Sequence, residues 1–212
     1  MNEIRLQQVL PQVFRGQDNI SSDVWHKDLT FRKGEYCLIE AASGTGKSSL
    51  CSFLYGYRKD YEGIITFDGR NIRSMTAAEW TECRSRMLSL QFQELRLFPE
   101  LTALENVWLK NRLTGRRSRK EIRHLFETTG LADKAEEKAG RLSFGQQQRV
   151  AFIRCLCQPA DFILLDEPVS HLDDENASIL ARLLAEEAAG AGIIVTSIGR
   201  RLPMDYQRIL KL

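Results

Sequence analysis

Read for its apolar and polar positions, the chain alternates short apolar runs with longer segments of helical spacing. Tyr36–Glu40 predicts a buried strand running into a small-residue turn, and Ser48–Tyr57 predicts the helix that follows. Gly63–Gly69 predicts a strand closed by an Asp-Gly turn, the mark of an antiparallel lobe. Met87–Phe92 reads as a further apolar strand. From about Leu97 to Arg141 the spacing turns helical, with seven basic residues between Lys110 and Arg123 and an acidic stretch after them. That interval reads as an inserted helical lobe. Beyond it come a helix over Gln146–Cys157, a strand over Phe162–Leu165, a helix over Glu175–Ala188, and strands over Ile193–Thr196 and Arg208–Leu212. The apolar face of the Glu175–Ala188 helix is expected at Ile179, Leu180, Leu183 and Leu184. Strands alternating with helices predict an α/β fold, with a parallel sheet covered on both faces.

Composition narrows the class. A chain of 212 residues corresponds to one domain with room for an insertion, and it can bury about 70% of its unfolded surface without disulfides or metals. With 43% apolar and 27% charged residues it is neither disordered nor fibrous. No apolar run approaches the roughly 20 residues of a membrane span. Met1 to Asn19 carries charges throughout, so no secretory signal is expected. The five cysteines are scattered, with only Cys155 and Cys157 close together, so reduced structural thiols and a cytosolic compartment are expected. Thirty basic against 28 acidic side chains give a net charge of +2, which argues against a dedicated nucleic-acid binder. The basic run Lys110–Arg123 is expected to be a solvated helix face, with contact to anionic lipid headgroups as the alternative.

Two segments carry chemistry. Ala41-Ala-Ser-Gly-Thr-Gly-Lys-Ser48 lies between a predicted strand and a predicted helix. The phosphate-loop pattern begins with glycine where this chain has Ala41, but its working parts remain. Gly44 and Gly46 let backbone N–H groups approach phosphate oxygens, Lys47 reaches the β and γ phosphates, and the Ser48 hydroxyl can ligate Mg²⁺. Ser43, Thr45 and Ser49 complete the candidate nucleotide-binding loop. Phe162-Ile-Leu-Leu-Asp-Glu-Pro168 is an apolar strand ending in adjacent carboxylates, which a strand points to opposite faces. Asp166 would bind Mg²⁺ through water, and Glu167 would orient and polarise an attacking water.

Leu142-Ser-Phe-Gly-Gln146, followed by Gln147-Gln-Arg149, completes a set of ordered motifs. Together with Gln93 in Gln91–Pro99 and with Ser170-His-Leu-Asp173, these segments resemble the ATP-binding cassette (ABC) ATPase family over nearly the whole chain. The resemblance implies a single ABC ATPase domain over residues 1–212, with a phosphate-loop NTPase core, an antiparallel β lobe and an inserted helical lobe at about 97–141. It implies ATP and Mg²⁺, the metal held by Ser48, Gln93 and Asp166. It gives Gln93 a metal-sensing role, and Ser143, Gly145 and Gln146 contact with ATP bound to an opposing subunit. It puts Ser170–Asp173 at the interface of an ATP-dependent head-to-tail homodimer. Phe14 matches the aromatic that stacks on adenine, with Trp25 as the other candidate. The implied partner is an integral membrane permease, bound in a groove near Gln93–Leu101 on the cytoplasmic face of the inner or plasma membrane, and no nucleic acid is expected.

The stretch Phe98–Val107 is most similar to stand-alone ATPases of lipoprotein-release, cell-division and macrolide-export systems. Three positions depart from the family pattern: Ala41, Phe144 in place of a signature glycine, and Ser197 where the family places its switch histidine. The catalytic set is therefore Glu167, Gln93 and Ser197, with slow turnover expected. His171 lies in the interface loop, and His26 and His124 are expected to be structural or surface residues. The expected function is an ATPase that powers or gates a separate permease. The alternative is a nucleotide-gated regulatory module with little or no hydrolysis.

Overall fold

The computed structural model describes residues 1–17 and 20–212. The strands are β1 (Glu3–Pro11), β2 (Asp28–Arg32), β3 (Tyr36–Glu40), β4 (Tyr61–Phe67), β5 (Arg70–Asn71), β6 (Leu88–Gln91), β7 (Phe162–Asp166), β8 (Gly192–Ser197) and β9 (Arg208–Lys211). The helices are α1 (Lys47–Leu54), α2 (Ala77–Arg86), α3 (Ala103–Asn111), α4 (Arg119–Thr128), α5 (Phe144–Leu156) and α6 (Asp174–Glu187). β2-β1-β4-β5 form an antiparallel sheet, and β6-β7-β8-β3-β9 form a parallel one.

Two cores sandwich the parallel sheet. Successive residues of its strands point to opposite faces. Ile163, Leu165, Ile193, Val195 and Leu38 join α3 to α6 on one side, while Phe162, Leu164, Ile194, Cys37 and Ile39 pack with α1 and the antiparallel sheet on the other. Both faces are therefore dry, which is why these strands read as unbroken apolar runs rather than alternating ones. α3 and α4 share the first core through Val107, Ile122, Leu125 and Phe126.

Several boundaries differ from the periodicity, for local reasons. α5 starts at Phe144 rather than Gln146, because Ser143 and Gln146 form a capping box in which each accepts the other's backbone N–H. α1 starts at Lys47 and ends at Leu54, three residues short of the expected end. On α6, Ile179 is only half-buried, and the inward stripe is completed instead by Ala177, Ala181 and Ala188. β1, β2 and α2 carry charges between their apolar positions and were not predicted from pattern alone, although Thr76 and Glu79 cap α2 reciprocally. All five cysteines are buried and unpaired, Cys155 Sγ lying 3.0 Å from Ser89 Oγ.

The register of β1 against β4 shifts between Gln7 and Leu10, where Gln8 adopts φ +51°. Gly63 sits opposite with φ +83°, and a Cβ there would stand 2.4 Å from the Gln8 carbonyl oxygen. Gly63→Ala combines left-handed strain with a backbone clash, and is expected to lose about 2–4 kcal/mol of stability. Urea denaturation checks this; an unchanged midpoint would mean that the bulge relaxes freely.

Candidate functional site

The phosphate loop leaves β3 at its carboxyl end, with Ala41 N–H donating to the Ser197 carbonyl at 3.1 Å. Ala41 is not in the left-handed region, so glycine is not required there. Gly46 is, at φ +97°, and a Cβ on it would crowd the rings of Phe14 and Trp25 at 3.1 Å. Trp25 is buried and donates from Nε1 to the Thr45 carbonyl at 2.9 Å, so it is fixed as a support under the loop. Phe14 is half-buried and borders two adjoining cavities of 320 Å³ each. One is lined by Ser43, Gly44, Thr45, Trp25 and Leu212, the other by Gly46, Lys47, Ser48, Ser49, Gln93 and Glu167.

Lys47 opens α1, so its backbone N–H and those after it sit at the positive end of the helix dipole. Its side chain is 6% exposed, with Nζ 3.5 Å from Glu167 Oε1 and 3.4 Å from the Ala42 carbonyl. Ser48 Oγ donates to Gln93 Oε1 at 3.2 Å. On β7, Asp166 is buried and accepts from Thr196 Oγ1 at 2.6 Å. Burial raises its pKa above the usual carboxylate value, while Thr196, Ser48 and the Lys47 charge pull the other way. Glu167 turns the chain at φ +51°, a conformation a non-glycine residue holds only where its surroundings enforce it. Its N–H donates to the Thr196 carbonyl at 3.0 Å. Its Oε1 is buried without a hydrogen-bond partner.

That oxygen (which meets only the Lys47 ammonium), the Asp166 carboxylate, the Ser48 hydroxyl and the Gln93 amide oxygen make an all-oxygen donor set. It fits Mg²⁺, which takes few protein ligands and keeps waters and phosphates as the rest. Ser48, Gln93 and Asp166 would hold the ion, which would offset the charge of a bound polyphosphate.

Ser143, Gly145 and Gln146 do not line either cavity. They form the N-terminus of α5, Ser143 exposed and Gly145 and Gln146 half-buried, where the Phe144 ring lies tilted against His171 at a centroid distance of 4.2 Å. A Cβ on Gly145 would approach the His171 carbonyl to 2.9 Å, so Gly145 lets α5 and the Ser170–Asp173 loop close on each other. Ser197 is also turned away: it is buried, its hydroxyl donates to the Arg200 carbonyl, and the neighbouring Ile198 faces the Lys47 cavity.

Gln148 is the residue that sequence reasoning passed over. It is buried in α5, and its Nε2 donates to the Glu167 carbonyl at 2.8 Å and to Ser170 Oγ at 3.2 Å, while Oε1 accepts from His171 N–H. It clamps the turn that presents Glu167. The available signal was a glutamine falling on the buried phase of an otherwise apolar helix face.

A glycine-rich loop at a helix N-terminus, opposite a strand ending in carboxylates, defines a phosphate-loop nucleotide-binding protein of α/β class. The pattern of the family described as ABC transporter matches residues 26–170. The chain is 33% identical to the lipoprotein-releasing system ATP-binding protein LolD of Syntrophotalea carbinolica, over 88% of its own length and 85% of that protein's. It is 36% identical to an ABC transporter ATP-binding protein of Mycobacterium tuberculosis over 87% of its length, and spans 57% of that longer relative. Its fold superposes on a dimeric structure of the bacterial ABC transporter cassette MJ0796 with a TM-score of 0.80 at 28% identity, covering 97% of this chain and 94% of the cassette. A post-hydrolysis structure of MJ0796 bound to ADP and Pi aligns with a TM-score of 0.74 at 30% identity, over 92% of this chain and 87% of that one. The chain belongs to the ABC transporter family, as an ATP-binding cassette of the ABC ATPase type.

Asp166→Asn keeps an acceptor for Thr196 and removes a buried charge that desolvation disfavours. It is expected to raise the melting midpoint of the nucleotide-free protein by up to a few degrees and to abolish the further rise that Mg²⁺ gives in the presence of ATP. Differential scanning fluorimetry with ATP, with and without Mg²⁺, checks both; a lower midpoint for the free variant would mean that the charge itself stabilises the fold.

Proposed function

We propose that this chain hydrolyses ATP to power or gate a separate integral membrane permease, and that residues 1–212 act as one ABC ATPase domain with a helical lobe at about 97–141. The observation that carries the reading is the convergence of Lys47, Ser48, Gln93 and Glu167 on one cavity at the carboxyl end of the parallel sheet. Lys47 and the N-terminus of α1 bind and orient the phosphates; Glu167, held by Gln148, positions water against the γ phosphate; Phe14, freer than Trp25, stacks on adenine. Ser48, Gln93 and Asp166 would hold Mg²⁺, which would neutralise phosphate charge.

Ser143, Gly145 and Gln146 line neither cavity of their own chain. In a head-to-tail homodimer they face the γ phosphate bound by the partner, supplying donors that a single subunit lacks. The permease seats between core and helical lobe beside Gln93–Leu101, which places the ATPase peripherally on the cytoplasmic face of the inner or plasma membrane. No described helix is long and apolar enough to cross a membrane. The likeness to LolD favours the lipoprotein-release, cell-division and macrolide-export subgroup.

A second reading, a nucleotide-gated regulatory module with little or no hydrolysis, is favoured by Phe144 and by Ser197. Its hydroxyl is committed to the Arg200 carbonyl, and it is too short to reach the γ phosphate as a histidine would.

Two measurements separate these. Glu167→Gln preserves shape but removes the carboxylate that positions water, so Mg-ATP should accumulate the variant as a dimer in light scattering. A variant that stays monomeric in saturating ATP would remove the sandwich as an intrinsic property of this chain. Ser197→His should raise steady-state turnover by roughly 10²–10³ with little change in ATP affinity, because the missing donor acts on transition-state charge. Brisk wild-type hydrolysis that collapses in His171→Ala would overturn that view and make His171 the replacement.

A further inference from the structure

The strand β8 ends between the phosphate loop and the turn that presents Glu167, because it pairs with β3 on one side and with β7 on the other. The residues after Ser197 therefore pass the mouth of the Lys47 cavity, and there the chain turns back on itself. The Ser197 hydroxyl donates to the Arg200 carbonyl, and the Arg200 N–H donates to the Ile198 carbonyl at 2.8 Å. Gly199 supplies the positive φ, +76°, that so tight a turn needs. Ile198 is left bordering the cavity beside Lys47 and Glu167, with Arg200 folded back next to it.

Two arginines leave this turn, and they are held differently. Arg201 donates to Glu40, at the end of β3, at 2.6 Å. Arg200 pairs with Asp174 Oδ1 at 2.5 Å, where the two side chains are 40% and 99% exposed. Asp174 opens α6 directly after the Ser170–Asp173 loop. An ion pair so exposed is weak, and its cation is readily exchanged onto a stronger anion. The cavity needs such a cation. Lys47 is the single cationic side chain among the described residues that line it, and Lys47 already faces Glu167 at 3.5 Å. The Ser197 hydroxyl, spent on the turn, offers no donor of its own.

We infer that Arg200 is a catalytic residue of this chain: it leaves Asp174 and places its guanidinium on the γ phosphate of ATP bound by the same chain, supplying the charge that Ser197 lacks. The inference rests on the reading of the chain as an ATPase, and adds a residue to that reaction. As water adds to the γ phosphorus and yields a proton to Glu167, the bond to the β-phosphate oxygen breaks and its electron pair leaves on ADP. Charge gathers on the γ oxygens and on that leaving oxygen, and the planar fork of a guanidinium suits both. Arg200 stabilises this charge without giving up a proton.

The test follows γ-phosphate release by the full chain in single turnovers, and trapping of ADP by orthovanadate, which stands in for the phosphoryl group in transfer. Arg200→Ala should lower the rate about tenfold and weaken vanadate trapping to match, with ATP affinity changed by less than about twofold. The loss is smaller than the roughly 10²–10³ of a fixed donor because Arg200 must first abandon Asp174. Arg200→Lys should recover part of it, since the charge returns without the fork. Asp174→Asn frees Arg200 and should equal or exceed wild type in both readouts. In a Ser197→His chain, Arg200→Ala should cost less than about twofold, because the histidine covers the same oxygen.

An Arg200→Ala chain that matches wild type in rate and trapping would overturn the inference and leave the ATPase reading standing. Equal losses in Arg200→Ala and Asp174→Asn would show that the pair only holds the turn, and would overturn it as well. A full loss persisting beside the histidine would overturn the claim that Arg200 stands in for it. A wild-type chain that neither releases phosphate nor traps ADP would remove the hydrolytic reading and the inference together.

Discussion

A buried cation and a buried carboxylate meet at 3.5 Å above the carboxyl ends of the parallel strands, and the segments around them are arranged to keep them there. Lys47 follows β3 and Glu167 follows β7, yet these strands are not neighbours, because β8 runs between them. The end of β8 serves both loops. The Ser197 carbonyl accepts from Ala41, the Thr196 carbonyl accepts from Glu167, and the Thr196 hydroxyl holds Asp166. Such a pair is costly to desolvate and contributes little net stability by itself. Its arrangement makes sense as a site prepared for a polyanion: the ammonium is already stripped of most of its water, and the carboxylate oxygen that faces it accepts no hydrogen bond.

Helix α5 ties this site to the rest of the molecule. At its N-terminus, Phe144 and Gly145 pack on His171; one turn on, Gln148 clamps the Glu167 turn; near its C-terminus, Arg154 binds the carbonyls of Leu95 and Arg96. Leu95 and Arg96 both hold positive φ, as Glu167 does, so the two backbone segments gripped by α5 are both held in strained conformations. One begins just after Gln93, at the groove; the other presents the carboxylate. A single helix thus touches the Leu95–Arg96 segment that borders the groove, the turn that presents Glu167, and the Ser170–Asp173 loop.

The net charge of +2 is an average over an uneven surface. The groove gathers Arg96, Lys110 and Arg154 from three separate stretches of chain, while Arg117, a few residues on from Lys110, is neutralised by Glu187. Composition argued against nucleic-acid binding and carried no sign of this local cluster. The basic run is accordingly not the uniform solvated face that its sequence suggested.

The sequence by itself determined the elements whose signal is local. Unbroken apolar runs marked β3, β7 and β8 because both of their faces are dry, and the spacing from Gly44 to Ser48 marked a phosphate-cradling turn because only that spacing presents backbone N–H groups and a lysine together. The charged alternation of β1 and β2 hid them, since each has one wetter face and supplies only half of an apolar pattern. What the tertiary structure alone decided concerns direction and company. It placed Trp25 beneath the loop and left Phe14 half-buried, turned the Ser197 hydroxyl toward Arg200, set Gln148 against Glu167, and put Lys110 beside Arg84 and Arg154 with no acid partner among the described residues. These follow from contacts between residues many positions apart, and nothing in local spacing encodes which buried polar group will find which partner.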